Sequence, residues 1–326
     1  AGWIDVSQYW PAGKDKLVGL AAHNDFLIMF GRQSILVWGN PEGDPAAANG
    51  IFLSDTIRNI GLVSRDAVVN IGTDVLFMDD TGVRSLGRTI TQQSAPIGDL
   101  TRNVRRDITS LIANTTDNST IKGVYVADQN FVLFYFPSNM EAFCLDLKSY
   151  LTEGTPKLTR WTGVVFNHAC YVEDNTTVEL YMGSNNENGH LKYDGYSQYD
   201  SESYMFKYRS NTLYCDNPGI MKFPKVMKWT SIAAAANSPG QVKRGFNSLD
   251  TEYAITFAIT ADAAAEFTVA EFNVDEFASS TESLSNNLLN LTPRGETVVI
   301  GFDINISGNS FSLQEINLQS LLGRLR

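Results

Sequence analysis

Four sets of short extended segments follow one another along the first two thirds of the chain, and this repetition limits the fold more than any other feature. Within each set, runs rich in β-branched and aromatic residues alternate with tight polar turns, and each run is too short for an ordinary helix. The first turns fall near residues 24, 72, 128 and 174, so successive sets are 48, 56 and 46 residues apart. The predicted strands are Leu17–Ala22, Phe26–Phe30 and Ser34–Trp38; Ala67–Ile71, Val75–Met78 and Val83–Leu86; Gly123–Val126, Phe131–Phe136 and Ala142–Leu147; and Ala169–Val172, Val178–Met182 and His190–Tyr193.

A repeat of about 40 to 50 residues with three or four strands is typical of a β-propeller blade. A single blade leaves an apolar face open, and a neighbouring blade must cover it. We therefore predict an all-β fold in which residues 1–202 form about four propeller-like blades of antiparallel strands. An irregular β-sandwich with accidentally even spacing is the alternative.

One short helix is predicted between the second and third sets, over residues 99–112. Its apolar positions follow the 3.6-residue period, and they are Leu100, Val104, Ile108, Leu111 and Ile112. Asp99 suits a cap or a first-turn acid. The other face carries Arg102, Arg105 and Arg106, which we interpret as a solvated face or as donors of ion pairs to another subunit, with a DNA-contacting patch as the alternative.

Beyond residue 203 the predicted strands become longer and alternate clearly between apolar and polar positions. Phe302, Ile304 and Ile306 point to one face, and Asp303 and Asn305 point to the other. The segments are Tyr204–Arg209, Thr212–Tyr214, Met221–Ile232, Tyr253–Thr260, Val298–Ile306 and Phe311–Leu318. We predict that residues 203–326 form an antiparallel, sandwich-like β region that completes the propeller or packs on it.

An acidic stretch, residues 245–293, interrupts this C-terminal region. It holds eight acidic residues and no Lys or Arg, and so accounts for most of the net charge of −11. Within it, Phe267, Phe272 and Phe277 recur every five residues, a spacing that fits neither a helical face nor a strand face. We predict a winding segment whose phenylalanines pack on their own subunit or contact a neighbouring one.

The charge balance, 25 basic against 36 acidic residues, excludes tight binding of nucleic-acid phosphates, because that affinity comes from Lys and Arg displacing counterions. A surface along which DNA slides without sticking is compatible with it. An apolar content of 43% excludes intrinsic disorder. No apolar run reaches the ~18 residues of a membrane span, and the first ten residues lack the pattern of a signal peptide. Because residue 1 is alanine, we expect a processed chain or a fragment.

Residues able to carry catalysis or to bind a metal are sparse. No HExxH, GxSxG or Walker A pattern occurs, and Cys144, Cys170 and Cys215 lack zinc-type spacing, so we predict structural thiols, no metal and no cofactor. His168 and Cys170 suggest a thiol–imidazole pair, but we expect a turn between them and therefore no such pair. Acids at turns or strand ends, where Asp bonds its own backbone, are Asp79, Asp80, Asp146, Asp174 and Asp194.

Several loose motifs run through the chain in a fixed order. Residues 27–38 follow the pattern vfG..si.vw, residues 60–78 follow iG..s..av and g.dv.fl, and residues 82–86 are GVRSL. Trp161, the run 180–194 and the pair Gly323-Arg324 come later in the same order. On these residues the chain resembles the tail tubular and DNA-stabilisation proteins of short-tailed bacteriophages, which form the nozzle below the portal. The resemblance covers most of the chain.

The resemblance implies a structural virion protein that is not an enzyme and needs no cofactor. It implies a ring subunit, expected as a homohexamer, that retains packaged DNA and conducts it during ejection, with other tail proteins as neighbours. The expected location is the virion, and the host cytoplasm during assembly. Candidate inter-subunit contacts are Phe267, Phe272, Phe277, Arg102, Arg105 and Arg106.

Two other functions stay open at this point. A propeller that binds a glycan or a receptor would stack sugars on exposed aromatic residues, unless these pack between blades. The candidates are Tyr193, Tyr196, Tyr199 and Tyr204. A propeller glycoside hydrolase would instead need two carboxylates about 5–9.5 Å apart. The candidates are the turn and strand-end acids Asp79, Asp80, Asp146, Asp174 and Asp194.

Overall fold

The chain forms two compact units, Ala1–Tyr193 (unit 1) and Asp194–Arg326 (unit 2). The change to longer, alternating strands in the sequence predicts this boundary between residues 202 and 203 instead. The computed structural model describes residues 5–43, 50–92, 99–150, 154–164, 166–174, 177–184, 189–193, 203–214, 220–234, 238–246, 248–259, 282–291, 294–306 and 311–325.

The described residues of unit 1 form four antiparallel sheets, and each is a meander of strands that are consecutive in sequence. The strands are β1 Leu17–His23, β2 Phe26–Gly31, β3 Ser34–Gly39, β4 Phe52–Arg58, β5 Val68–Asn70, β6 Val75–Asp79, β7 Gly82–Ser85, β8 Lys122–Val126, β9 Phe131–Phe136, β10 Glu141–Tyr150, β11 Pro156–Thr162, β12 Phe166–Asp174, β13 Thr177–Ser184 and β14 His190–Lys192. Sheet A has the order β1-β2-β3-β4, sheet B β5-β6-β7, sheet C β11-β10-β9-β8 and sheet D β12-β13-β14.

The prediction of an all-β, antiparallel fold is confirmed, and each of the strands predicted in this region overlaps an observed strand. Sequence analysis missed β4 and β11, which are the outer strands of sheets A and C. Edge strands tolerate solvent-facing polar residues, and exposed positions such as Ser54 and Lys157 break the apolar run that identifies a buried strand.

Successive sheets share apolar cores. Phe30 of sheet A, Phe77 of sheet B and Phe134 of sheet C lie in one core, where all three are fully buried. The opposite face of sheet C carries Leu133, which packs in a second core with Leu180 of sheet D. Sheet C is therefore apolar on both faces, and a different neighbour covers each face.

The first strands of successive sheets lie side by side, with β1 next to β5, β5 next to β8, and β8 next to β12. Two glycines permit this approach, since a Cβ at Gly19 would lie 2.8 Å from Leu62 Cδ2 and one at Gly123 would overlap Val69. Propeller blades follow one another around a central channel in such a consecutive order. The closure of these sheets into a propeller stays a prediction.

In the described ranges 86–92 and 99–121, two α-helices lie between sheets B and C, and a 3₁₀ turn precedes the second. The bounds are α1 Leu86–Gln92, the turn Arg102–Val104 and α2 Arg105–Asn114. Neither of these described helices is long and apolar enough to cross a membrane. The predicted apolar side of α2 is confirmed, because Ile108, Leu111 and Ile112 are buried.

The predicted helical span, residues 99–112, is wrong at its start because Asp99 does not enter the helix. Its buried carboxylate accepts hydrogen bonds from the N–H of Thr101 at 2.8 Å and from the Arg105 guanidinium at 2.6 Å. The first helical residue is Arg102, in the 3₁₀ turn. Helix α1 was not predicted.

The part of unit 2 that the structure describes forms two antiparallel sheets around one core. The strands are β15 Tyr204–Arg209, β16 Ile220–Ala234, β17 Ser238–Phe246, β18 Ser248–Ile259, β19 Glu282–Asn290, β20 Val298–Ile306 and β21 Phe311–Leu325. Sheet E has the order β15-β20-β17-β18, and sheet F has the order β19-β16-β21. Trp229 of sheet F meets Phe302 of sheet E edge to face, with ring centroids 5.6 Å apart.

Sequence analysis missed β17 and β19 in unit 2. Strand β17 contains a proline and two glycines, and β19 contains three asparagines, so both have compositions typical of turns. The predicted strand Thr212–Tyr214 forms only an isolated bridge, between Leu213 and Val298. The sandwich-like arrangement of long antiparallel strands agrees with the predicted texture.

A buried ion pair closes the β6–β7 hairpin. The Arg84 guanidinium pairs with the Asp79 carboxylate, and the two side chains are 3% and 5% exposed. The same carboxylate accepts hydrogen bonds from the N–H groups of Thr81 and Gly82 at 2.7 and 2.8 Å. Removal of one partner would leave an uncompensated charge in the interior.

We expect Arg84→Met to lower the free energy of unfolding by about 3–5 kcal/mol, because Asp79 would stay buried without its cation. Unfolding in urea, followed by circular dichroism, measures the change. The matched control is Arg65→Met, which breaks an exposed pair with Asp66 and should leave the midpoint unchanged. Equal midpoints for Arg84→Met and the parent chain would contradict the prediction.

Candidate interaction surfaces

The three arginines predicted as subunit contacts differ in their surroundings. Arg105 donates through Nε and Nη2 to Asp99 Oδ2 of its own chain at 2.9 and 2.6 Å. Arg102 and Arg106 are exposed, and Arg106 lies in the first turn of α2. The other predicted contacts, Phe267, Phe272 and Phe277, lie outside the described residues. Contacts with another subunit stay a prediction for all of them.

The motif residues fix sheet A to sheet B. The Arg32 guanidinium, in the β2–β3 turn, donates to the Leu62 carbonyl at 3.1 Å and pairs with Asp80 in the β6–β7 turn. Burial raises the pKa of Asp80, and the attraction of Arg32 only partly opposes it. A Cβ at Gly61 would overlap the backbone of Arg32, so glycine is required there. These motif residues therefore serve packing.

A cluster of charged residues lies where sheets B, C and D meet. The Lys122 ammonium of β8 donates to His168 Nδ1 of β12 at 2.9 Å. The pKa of Asp66 is lowered, chiefly by the hydrogen bond from Arg65 and further by the charge of Lys122. The turn predicted between His168 and Cys170 is wrong, since both residues lie within β12. The observed contact of the His168 ring is with Lys122.

The described acids that sequence analysis considered for a glycosidase serve turns and ion pairs. Asp79 and Asp80 hold the arginines described above, and Asp146 accepts hydrogen bonds from the N–H of Lys148 and the hydroxyl of Ser149 at 2.8 and 2.6 Å. The two others, the Asp174 side chain and Asp194, lie outside the described part of the chain. Among the described residues, no three His, Cys, Asp or Glu side chains are grouped to hold a metal ion.

The tyrosines considered as a sugar platform are used in packing where the structure describes them. Tyr193 stacks on Trp161 with ring centroids 5.8 Å apart, and it meets Phe131 edge to face at 5.9 Å. Tyr204 packs against the core of unit 2. Tyr196 and Tyr199 fall outside the described ranges.

The outer face of sheet E carries a group of cations that sequence analysis did not single out. Lys207 and Arg209 of β15 and Lys243 of β17 surround Asp303 of β20, and Arg209 lies across Gly301. Arg209 Nη1 and Lys243 Nζ lie 2.7 and 3.0 Å from the carboxylate oxygens. Burial works to raise the pKa of Asp303, but the hydrogen bonds from these two cations outweigh it and lower the pKa. We call these three cations and Asp303 the cationic face.

One signal for the cationic face was present in the sequence. Lys207 and Arg209 are two residues apart in a predicted strand, so they point to the same side. The third cation, Lys243, lies in β17, which was not predicted, and the group was therefore not recognised.

Comparisons with known proteins assign no family to the chain. No family model and no curated protein matches it. Among solved structures, it is similar to a variant of the tryptic core of Cry1Da from Bacillus thuringiensis, with 12% sequence identity and a TM-score of 0.23 over 94% of this chain. The chain spans about half, 51%, of that solved chain. A likeness at this TM-score carries no argument about function.

We expect Gly61→Ala to destabilise the fold by about 1–3 kcal/mol, because the added methyl group would overlap the Arg32 backbone and force sheets A and B apart. Urea unfolding measures the change. Gly189→Ala is the matched control, since nothing lies within 4 Å of a Cβ at that position. Equal losses of stability in the two variants would count against the packing role of Gly61.

The two described cysteines should differ in reactivity. Burial raises the pKa of Cys144 to about 12, whereas Cys170 is exposed on β12. In a Cys215→Ser background, we expect iodoacetamide at pH 8 to modify Cys170 quickly and Cys144 only after unfolding, because the thiolate is the reacting form. Mass spectrometry of the peptides locates the label, and rapid labelling of Cys144 in the folded chain would refute the prediction.

Proposed function

We propose that the chain is a structural virion protein, a subunit of the ring that forms the tail nozzle of a short-tailed bacteriophage. In this role six copies surround the tail axis, retain packaged DNA and conduct it during ejection. Other tail proteins bind above and below the ring. The protein acts in the virion after assembly in the host cytoplasm, and it performs no enzymatic reaction. The motif resemblance over most of the chain supports this proposal.

The observation that carries the proposal is the use of the motif residues as contacts between sheets. Arg32 binds the Leu62 carbonyl, and the N–H of Leu62 donates to the Gly31 carbonyl at 2.9 Å. Arg84, from the GVRSL motif, pairs with Asp79 inside the hairpin. Motifs shared with a family of structural proteins should lie at contacts that stabilise the fold. The contacts of these residues match that expectation.

The order of the sheets supports a propeller-like body for residues 1–202. Four consecutive meanders share cores with their neighbours, and their first strands are adjacent. In a propeller this order places first strands around the central channel. We propose that the four sheets are blades of this kind and that the C-terminal β region completes or supports them.

The charge of the chain supports passive conduction of DNA. With a net charge of −11, the surface as a whole repels phosphates. Binding through counterion release needs clusters of Lys and Arg along the DNA path. A lumen of neutral or negative charge therefore lets the polymer pass without stopping at each contact.

We expect the purified full-length chain, alone or with its tail partners, to form discrete rings of six copies. Native mass spectrometry gives the number of copies, and class averages from negative-stain electron microscopy show the ring. A chain that stays monomeric in the presence of its tail partners would contradict the proposal. Turnover of a glycoside that is abolished by a single Asp→Asn substitution would also contradict it.

Arg106 offers a test of the contact between subunits. We expect Arg106→Glu to weaken ring formation by about tenfold, because a reversed charge at a subunit contact converts attraction into repulsion. The matched control is Lys148→Glu, at an exposed position on β10. Native mass spectrometry at several protein concentrations measures both variants, and equal ring formation would exclude Arg106 as a contact.

A further inference from the structure

Sheet F has long outer strands. Strand β19 has 9 residues and β21 has 15, whereas strands most often have about five or six. Both pair with the central strand β16, and none of the described strands pairs with the other side of either one. About half of the backbone N–H and C=O groups of an outer strand point away from its sheet, where they are available to a further strand.

These two strands lack the features that usually prevent outer strands from pairing with other molecules, which are short length, proline and charged side chains. Of the other described outer strands, β5, β7 and β14 have three or four residues, β4, β8, β11 and β15 contain Lys or Arg, and β18 contains two acids. Strands β1 and β12 lie beside strands of neighbouring sheets. By contrast, residues 282–290 and 311–323 contain no Lys, Arg or Pro and only one acid each. The edges of β19 and β21 are therefore suited to pairing.

Each edge also presents an exposed leucine on the outward face of sheet F. Trp229 of β16 lies in the core of unit 2, so the adjacent Lys228 points outward. Its partners Leu288 of β19 and Asn317 of β21 share that face, and so does Leu321, further along β21. Leu288 and Leu321 are each 59% exposed, more than any other large apolar side chain that the structure describes. Contact with a neighbouring strand would remove both from water.

We propose that the outer edge of β21 in one copy pairs with the outer edge of β19 in the next copy. This inference rests on the proposed ring and names one of its contacts. The two edges are different surfaces, so the contact is heterologous, and its repetition around an axis closes a ring. Strands β19 and β21 both run antiparallel to β16, so they pair in parallel between copies. Leu321 packs beside Leu288 of the next copy.

The positions of the two leucines fit a sheet that closes around the ring axis. Within one copy Leu288 lies level with Asn317 across β16, so contact with Leu321 shifts the next copy by about four residues, or about 13 Å along the strands. Three strands are about 14 Å wide, so this shift tilts the strands by roughly 43° to the axis. Strands in closed sheets typically tilt by about 35–45°. The low charge of both strands also limits repulsion between acidic copies.

Cysteines placed at the two leucines test the contact. In a background with Cys144→Ala, Cys170→Ser and Cys215→Ser, the changes Leu288→Cys and Leu321→Cys are made singly and together. Strand β16 separates the two positions within one chain by about 10 Å or more, too far for a disulfide. We expect mild oxidation to link up to six copies of the double variant, seen as a ladder on a non-reducing gel. Each single variant should stay unlinked, and an equimolar mixture of the two should form linked pairs only.

Two matched variants test the same contact without cross-linking. Leu288→Lys with Leu321→Lys brings like charges together at each contact, and we expect it to weaken assembly by at least about tenfold. Leu288→Glu with Leu321→Lys brings opposite charges together there and should form rings as the parent chain does. Native mass spectrometry at several protein concentrations measures both variants, and equal assembly of the two would overturn the proposal.

Controls keep a folding defect or a different contact apart from the proposed one. Leu321→Cys with Met205→Cys should give no ladder, since Met205 is 52% exposed on β15 in the other sheet. Circular dichroism and urea unfolding report whether each variant is folded.

Three outcomes of the cross-linking would contradict the proposal. Linked pairs formed by Leu321→Cys alone would place β21 against β21 and overturn it. Rings of the double variant that do not cross-link, as when another segment of the same chain covers either edge, would overturn it while leaving the ring itself intact. Absence of rings in the parent chain would refute the proposed function and this contact with it.

Discussion

The burial of both faces of a sheet by its neighbours is the constraint on which unit 1 depends. Leu133 and Phe134 are adjacent residues on opposite faces of sheet C, and both are fully buried in different cores. A sheet of this kind is stable only between two others, since either face alone would expose a large apolar surface to water. Because each sheet is a meander of consecutive strands, the order of the chain becomes the order of stacking.

Several acidic side chains stabilise turns and the interior of unit 1. Asp15 accepts hydrogen bonds from the N–H groups of Arg32 and Gln33 at 2.8 and 2.9 Å, and so holds the β2–β3 turn. Asp79 and Asp99 are buried and each binds an arginine in addition to backbone N–H groups. A carboxylate with two or three such partners is stable in the interior. These acidic residues of unit 1 therefore stabilise its fold.

The local pattern of apolar and polar residues predicted the core strands correctly. It failed where contacts between distant residues determine the secondary structure. A run such as Phe131–Phe136 has one interpretation, whereas β17, with its proline and glycines, becomes a strand only because β20 and β18 lie on either side. Asp99 suits a helix cap in the sequence, but its contact with Thr101 delays the helix. The contact between Lys122 and His168 joins residues 46 positions apart and has no local signal. The cationic face was missed for the same reason, since one of its cations lies in a strand that only pairing creates.

The net charge of the chain bears on the proposed ring in two ways. Copies that each carry a net charge of −11 repel one another, and each copy also repels DNA. At physiological ionic strength this repulsion is screened beyond about 8 Å, so adhesion between copies is decided by the groups that meet at close range.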